Sequence, residues 1–194
     1  MKAITYAFLL GLACGTQPGC SRREDKTDEG PVLVANPRYK RWADFKPGSY
    51  CVLRHNLSIA KKVALMYQRA TLLEVSDTQV VIKTRESERL TFDGKDIISR
   101  TEVIPAMIPE SQVYGDEPGP VVKHGVETIR LRGETLQTRW EESGGSLGVG
   151  ASMVSRVWYC ERIPGQVVRH NHTTTMPAGK MISIKMLVKY HIAE

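Results

Sequence analysis

Alternation of apolar and polar residues is the dominant pattern from Ser49 to the end of the chain. A period of two places successive side chains on opposite faces of a β-strand, so this pattern predicts strands. Turn residues divide the region into nine predicted strands: Ser49–Leu57, Val63–Val75, Gln79–Arg85, Ser99–Ile108, Val126–Leu131, Thr135–Glu141, Val154–Arg162, Gln166–Thr174 and Met181–Ile192. The chain is therefore predicted to be mainly β, with antiparallel strands that each have one buried face and one wet face.

The last predicted strand shows the clearest alternation. Its apolar side chains fall on one face, and they are Ile182, Ile184, Met186, Val188, Tyr190 and Ile192. Lys185 falls on the opposite face, which is predicted to meet water. On this interpretation Ile184→Lys destabilises the domain far more than Lys185→Ile, because only the first change buries an unpaired charge.

A short helix is predicted before the strands, over Pro37–Phe45. Asn36 is a suitable N-cap, and a proline fits the first helical position. Aromatic residues recur every third position on one face, and they are Tyr39, Trp42 and Phe45. A helix with such a face is expected to pack on the sheet; a platform on which a ligand stacks is the alternative. The three aromatic residues are therefore candidate ligand-binding residues.

Two segments between predicted strands are long. One is the glycine-rich loop Ser143–Gly150, and the other is the stretch Pro109–Gly125, which we expect to be a mobile lid.

The N-terminus has the pattern of an export signal, with Lys2 followed by the uncharged apolar run Ala3–Ala13. Eleven residues are too few to cross a hydrocarbon core of about 30 Å as a helix. The run is therefore interpreted as part of a signal peptide over residues 1–20 and not as an anchor. Export implies a location in the periplasm or at the outer membrane.

Cys14 and Cys20 follow the apolar run and are both lipidation candidates. A lipid-anchored protein is expected on this pattern, although Gly11 and Ala13 also fit cleavage by an ordinary signal peptidase. The next segment, 21–35, is rich in charge and is predicted to be a flexible tether, because it can bury little apolar surface. The folded β-domain is then predicted to cover 36–194.

Several short motifs within the predicted domain resemble those of uncharacterised exported bacterial proteins. These motifs are Asn36-Pro37 with Trp42, Phe45 and Gly48, the Gly133 hairpin with Trp140, Val157-Trp158-Tyr159, Ile163-Pro164-Gly165 and Val167-Val168. Such proteins are similar to the lipoprotein-localisation carriers of the LolA/LolB type. The resemblance covers 36–194 and implies a single curved antiparallel sheet, half-barrel-like, over an apolar crevice.

Candidate chemistry is sparse. Gly144-Gly145-Ser146-Leu147-Gly148 matches the string of a serine hydrolase, but a strand follows it where that chemistry requires a helix. His170 and His172 lie two apart on a predicted strand, so both imidazoles could reach one metal ion. No further ligand is placed by the sequence, so the pair is only a weak metal candidate. The sequence predicts no catalytic residues and no cofactor.

Cys51 and Cys160 both lie in predicted strands of the exported domain. An oxidising compartment permits a disulfide between them. The alternative is a pair of buried thiols that pack as small apolar side chains.

The formal net charge is +6, and the Lys and Arg residues are spread along the chain. A basic stripe interleaved with aromatic residues is absent from the sequence, so no nucleic-acid partner is expected. Two hypotheses remain. One is an envelope protein that binds a lipid or other apolar ligand in a crevice of the sheet. The other is an interaction protein with a filled core, whose partner is another envelope protein.

Overall fold

The computed structural model describes residues 30–59, 62–93, 97–113 and 121–194. The predicted signal peptide, with Cys14 and Cys20, lies outside these residues, as does most of the predicted tether. Pro31–Glu194 form one compact unit. Neither of the two short helices in the described ranges has the length and apolar character needed to cross a membrane.

Nine antiparallel strands form one open sheet in the order β5-β4-β3-β2-β11-β10-β9-β8-β7. Consecutive strands are neighbours except at the centre, where the last strand inserts beside β2. The strands are β2 (Tyr50–Ile59), β3 (Lys62–Val75), β4 (Gln79–Ser87), β5 (Ile98–Pro105), β7 (Val121–Leu131), β8 (Glu134–Gly148), β9 (Ala151–Tyr159), β10 (Val167–Met176) and β11 (Gly179–His191). Edge strands β5 and β7 do not pair with each other, so the sheet does not close into a barrel.

A second, two-stranded sheet lies outside the main one. It pairs β1 (Leu33–Ala35) with β6 (Met107–Pro109). A 3-10 helix, Glu110–Gln112, follows β6. The last five residues of the segment predicted as a tether, 31–35, therefore belong to the folded unit.

The mainly β-architecture and the nine antiparallel strands of the main sheet confirm the fold class predicted from the alternation pattern. Two predicted connections differ. The glycine-rich stretch Ser143–Gly150 was expected to be a loop, but β8 continues through it to Gly148. Val121–Gly125, expected to belong to a lid, are the first residues of β7.

The predicted helix is present as α1 (Pro37–Ala43), and it is shorter than expected. The Asn36 side chain caps it by accepting a hydrogen bond from the backbone N–H of Arg38 at 2.9 Å. The backbone N–H of Phe45 then donates to the Trp42 carbonyl, so Phe45 lies in the turn that ends the helix. The helix packs against β3, β4 and β5.

We call the face of the sheet that carries α1 the helix face and the opposite one the outer face. Buried side chains on the helix face include Leu53, Leu72, Ile82, Ile104 and Leu187, and Trp42 and Phe45 pack with them. Leu72 and Leu187 have no exposed surface. The same cluster reaches Ile163 in the turn between β9 and β10, so α1 and this turn share one core with the sheet.

A β-bulge in β11 reverses the faces predicted for the residues that precede it, whereas Tyr190, beyond the bulge, packs against the core as predicted. Leu187 pairs with Leu53, and the register then shifts so that Lys189 pairs with Val52. Before the bulge, Ile182 and Ile184 therefore lie on the outer face, while Lys185 lies on the helix face. The face assignment predicted from the sequence is wrong for these residues. The prediction assumed strict alternation along the whole strand, whereas a bulge inserts one extra residue and so shifts the alternation by one position. The ranking of Ile184→Lys above Lys185→Ile loses its basis.

Leu187 should contribute much more to stability than Ile182 of the same strand. Leu187 is fully buried, whereas Ile182 is 38% exposed. We expect Leu187→Ala to lower the free energy of unfolding by about 2–5 kcal/mol, and Ile182→Ala by less than about 1 kcal/mol. Urea denaturation of the two variants measures the difference; equal midpoints would contradict the observed register.

Gly165 is expected to be indispensable to the packing of α1. It has φ +75°, and a Cβ atom there would lie 2.8 Å from Cζ2 of Trp42. Gly133 has a similar φ of +86°, with no atom within 4 Å of such a Cβ. The backbone strain of an alanine at either position is about 1–2 kcal/mol. Gly165→Ala should cost clearly more than Gly133→Ala in thermal unfolding, because it alone also displaces Trp42.

Candidate functional site

A cavity of about 300 Å³ lies between α1 and the helix face of the sheet. Such a volume is at the lower end of the range for small-molecule sites. Its wall is drawn from α1, from strands β2 to β5, and from β10 and β11. The lining residues are Arg38, Arg41, Trp42, Cys51, Leu53, Gln68, Ala70, Ile82, Thr84, Arg100, Glu102, Ile104, Gly165, Val167, His170 and Lys185.

Part of the wall is apolar and belongs to the domain core. Trp42, Leu53, Ile82 and Ile104 are buried members of the core cluster that also line the cavity. Because their positions are fixed by packing on several strands, this part of the site is rigid.

Another part of the wall is polar and rich in cations. Arg38 lies against Glu102, and two of its guanidinium nitrogens donate to the two carboxylate oxygens at 2.8 Å each. Hydrogen bonding by Arg38 lowers the pKa of Glu102. Glu102, the carboxylate that lines the cavity, is thus neutralised by Arg38. Arg41, Arg100 and Lys185 add positive charge to the wall of the cavity.

Lys185 is the most unusual of these cations. It lies on the helix face opposite His55, in the middle of the sheet. Burial lowers its pKa, Glu86 opposes this effect, and Arg100 adds to it. In the part of the chain that the structure describes, Lys185 forms no ion pair and no hydrogen bond. Glu86 instead accepts a hydrogen bond from Gln68 at 2.9 Å.

His170 lines the cavity beside Lys185, its cross-strand partner. The Nε2 atom of His170 is 2.8 Å from the hydroxyl oxygen of Ser155, which is almost completely buried. Burial lowers the pKa of His170 to about 4, and Lys185 is the next cause. The imidazole is therefore neutral at pH 7, and it supplies hydrogen-bonding capacity rather than charge.

The weak metal candidates, His170 and His172, do share one strand face, as predicted. Their rings lie edge to face with centroids 6.1 Å apart. Each Nε2 atom is engaged by a hydroxyl group, that of Ser155 for His170 and that of Thr174 for His172. Within the described ranges no three His, Cys, Asp or Glu side chains are grouped closely enough to hold a metal ion.

The three aromatic residues proposed from the sequence are placed differently from one another. Trp42 lines the cavity. Phe45 is buried in the core cluster, and Tyr39 packs at its edge while its hydroxyl donates to the Ser76 carbonyl at 2.8 Å. The aromatic face of the helix therefore packs on the sheet, which is the first of the two interpretations given above. Of the three aromatic residues, Trp42 is the one that a ligand in the cavity would contact.

Both cysteines of the domain are buried free thiols, which is the alternative to the disulfide expected from the sequence. Cys51 lines the cavity, and burial raises its pKa to about 12. Both belong to the core cluster, so they pack as small apolar side chains.

The hydrolase-like string around Ser146 lies at the end of β8. Its hydroxyl lies near the Gly148 backbone at 3.4 Å, and β9 follows the turn. The strand–turn–helix context of a nucleophilic serine is therefore missing here.

Sequence reasoning missed the polar residues of the cavity, above all Lys185, Arg100 and Gln68. Each lies in a strand where a charged or amide side chain is typical of a wet face. The sequence indicates these residues only in part. The lysines of β11 alternate with apolar residues, but the bulge that decides which face they occupy cannot be recognised in that alternation.

Comparisons with known proteins add little. No family profile matches the sequence, and no curated protein sequence is detectably similar to it. A structure provisionally described as an outer membrane lipoprotein-sorting protein domain from Vibrio parahaemolyticus overlaps 80% of this chain and 88% of its own, with 10% identity and a TM-score of 0.31. So loose an overlap carries no argument, and the resemblance to lipoprotein-localisation carriers stays a prediction.

His170 should make the stability of the domain depend on pH. Its pKa is lowered from 6.5 to about 4 on folding. Between these values the unfolded chain binds a proton that the folded chain does not, so stability falls as the pH falls through this window. The loss reaches about 3 kcal/mol at the acid end.

Urea denaturation between pH 7 and pH 4 measures this slope, which His170→Asn should reduce. Lys185→Met should raise the pKa of His170 in an NMR titration of its imidazole, because a neighbouring positive charge is removed. An unchanged slope in His170→Asn would contradict the assignment.

Proposed function

We propose that the protein is a non-catalytic envelope protein that binds an acidic amphiphile, such as a fatty acid, in the crevice between α1 and the sheet. The observation that carries this proposal is Lys185, a cation that lines a partly apolar cavity and forms no ion pair within the described residues. An acidic headgroup would lie against Lys185 on the cationic part of the wall, and an apolar chain would lie against Trp42 and Leu53 on its apolar part.

The energetics favour an anion over a neutral ligand. A cation removed from water loses hydration, and it regains this free energy only if it is paired or hydrogen-bonded. Partial burial lowers the pKa of Lys185, which is the direction that this loss of hydration favours. A carboxylate or phosphate in the cavity would compensate it, and the N–H groups of Arg100 and Gln68 would add hydrogen bonds.

The proposed location rests on the sequence alone. The apolar run at Ala3–Ala13 and the two cysteines that follow it support export to the periplasm or outer membrane, with a lipid anchor at Cys14 or Cys20. An anchored domain with an amphiphile-binding crevice would work close to a membrane, from which such ligands come.

A second candidate function is that of an interaction protein without a small-molecule ligand. The observation that favours it is the well-filled core around Leu72 and Leu187, which occupies much of the helix face. On this alternative the cavity holds only water.

Calorimetric titration with octanoate and with 1-octanol tests the proposal. The two probes are matched in chain length and differ in charge. We expect saturable binding of octanoate, and a decrease in affinity of about 10- to 150-fold in Lys185→Met, because a hydrogen bond to a charged group contributes about 1.5–3 kcal/mol. 1-Octanol should bind more weakly and respond little to the substitution.

Lys180→Met is the matched control, since Lys180 is an exposed lysine of the same strand. It should bind octanoate like the unmodified protein. Circular dichroism establishes that each variant is folded. Absence of octanoate binding by a folded sample, or equal affinities in Lys185→Met and Lys180→Met, would favour the interaction-protein alternative.

A further inference from the structure

Strand β7 forms one edge of the main sheet, and within the described residues it pairs with β8 alone. It is 11 residues long and contains no proline. Several of its apolar side chains lie in solvent, and Val122 is 60% and Val126 77% exposed. Natural sheets usually protect such an edge, because its free N–H and C=O groups can pair with another strand.

The opposite edge, β5, is protected in this way. It ends in Pro105, which has no backbone N–H, and the Pro105 carbonyl accepts a hydrogen bond from the Asn36 side chain at 2.8 Å. Glu102 of the same strand is paired with Arg38 of α1. Of the elements that the structure describes, only β8 makes extensive contact with β7. The edge that is open to a partner is therefore β7.

The sequence of β7 is complementary to itself. Lys123, Gly125 and Glu127 lie on one face, because side chains two apart in a strand point the same way. When two copies of a strand pair antiparallel about a two-fold axis, each residue faces the one that lies equally far beyond the axis in the other copy. With Gly125 at the axis, Lys123 of each copy therefore lies opposite Glu127 of the other.

Neighbouring registers match the charges less well. With Lys123 or Glu127 at the axis, that residue faces the same charge in the other copy. With His124 or Val126 at the axis, neither charged residue faces an opposite charge. Opposite charges in cross-strand pairs are stabilising and like charges are destabilising, so the charge pattern favours the register centred on Gly125.

Both charged groups are accessible to a partner. The Lys123 side chain is 68% exposed, and its ammonium lies 3.5 Å from Glu142. Glu142 also accepts hydrogen bonds from Arg156, so it keeps a cation if Lys123 turns towards the edge. Glu127 is exposed, and one of its carboxylate oxygens accepts from the indole N–H of Trp158 at 2.8 Å. Its second oxygen is left for a cation of the other copy.

Gly125 allows close packing at the axis. A Cβ atom there would lie 2.7 Å from Cζ2 of Trp140, so the Trp140 ring lies directly over the backbone of the edge strand. A glycine inside a strand weakens it and often marks a place where another backbone approaches closely. In the paired state, the Trp140 rings of the two copies would cover the two glycines from either side of the axis.

We infer that β7 pairs with β7 of a second copy of this chain, antiparallel about a two-fold axis at Gly125, so that two main sheets become one. On the face opposite Trp140, Val126 would pack beside His124 of the other copy, and Val122 beside Thr128. None of the residues that line the cavity belongs to β7, β8 or β9. The pairing therefore leaves the cavity open and does not depend on the function proposed for it.

Sedimentation velocity of the full-length protein over a range of concentrations tests the inference. We expect a reversible equilibrium between monomer and dimer. Lys123→Glu and Glu127→Lys should each raise the dissociation constant about tenfold or more, because both cross-strand pairs then join like charges.

An equimolar mixture of Lys123→Glu and Glu127→Lys should recover the dimer, because each cross-strand pair in the mixed dimer again joins opposite charges. Mixing cannot repair a folding defect, so recovery is specific to the proposed register.

Val126→Lys and Val103→Lys form a matched pair that places the same charge on either edge of the sheet, since Val103 is an exposed valine of β5. Val126→Lys should weaken the dimer, whereas Val103→Lys should associate like the unmodified protein. Circular dichroism establishes that each variant is folded. A protein that stays monomeric at every concentration would overturn the inference. So would association that persists in both Lys123→Glu and Val126→Lys, because the interface would then lie elsewhere, or a mixture of folded variants that does not recover the dimer.

Discussion

The bulge in β11 is the constraint on which the arrangement of this domain depends. β11 is a central strand, so the face that each of its side chains occupies affects the whole sheet. One extra residue after Leu187 allows Leu187 to fill the core while Tyr190 still packs beside it. The same shift brings Lys185 to the helix face. Because a strand has a period of two, a single inserted residue exchanges core and solvent for every side chain on one side of it.

Charge is distributed unevenly between the two faces as a result. On the helix face, cations surround a cavity whose other walls are apolar, and the Arg38–Glu102 pair accounts for the carboxylate that lines it. On the outer face, strand pairing brings Arg54 of β2, Arg69 of β3 and Lys189 of β11 close together. A net charge of +6 is modest for a chain of this length. What makes it consequential is that strand pairing concentrates the positive charge in two places.

The helix owes its position to long-range contacts more than to its own sequence. Seven residues are too few for a stable isolated helix, and tertiary packing must supply the difference. Trp42 lies against Gly165, and the Gly165 N–H donates to the Arg41 carbonyl at 3.1 Å. The turn between β9 and β10 thereby fixes the helix over β3, β4 and β5. This contact also fixes the roof of the cavity, since Trp42, Arg41 and Gly165 all line it.

The sequence by itself determined most of the secondary structure, because local alternation and turn residues are properties of neighbouring positions. It was sufficient for the nine strands of the main sheet, for the Asn36 cap and for a helix that packs through Trp42. The site could not be predicted in the same way. Lys185 meets Arg100 and Gln68 at the cavity only because β11 inserts between β2 and β10, and because a bulge in β11 selects the face of Lys185. Both depend on how core volume is filled across distant segments, and neither leaves a local pattern. Only the tertiary structure decided which polar side chains face the cavity and which cations share the outer face.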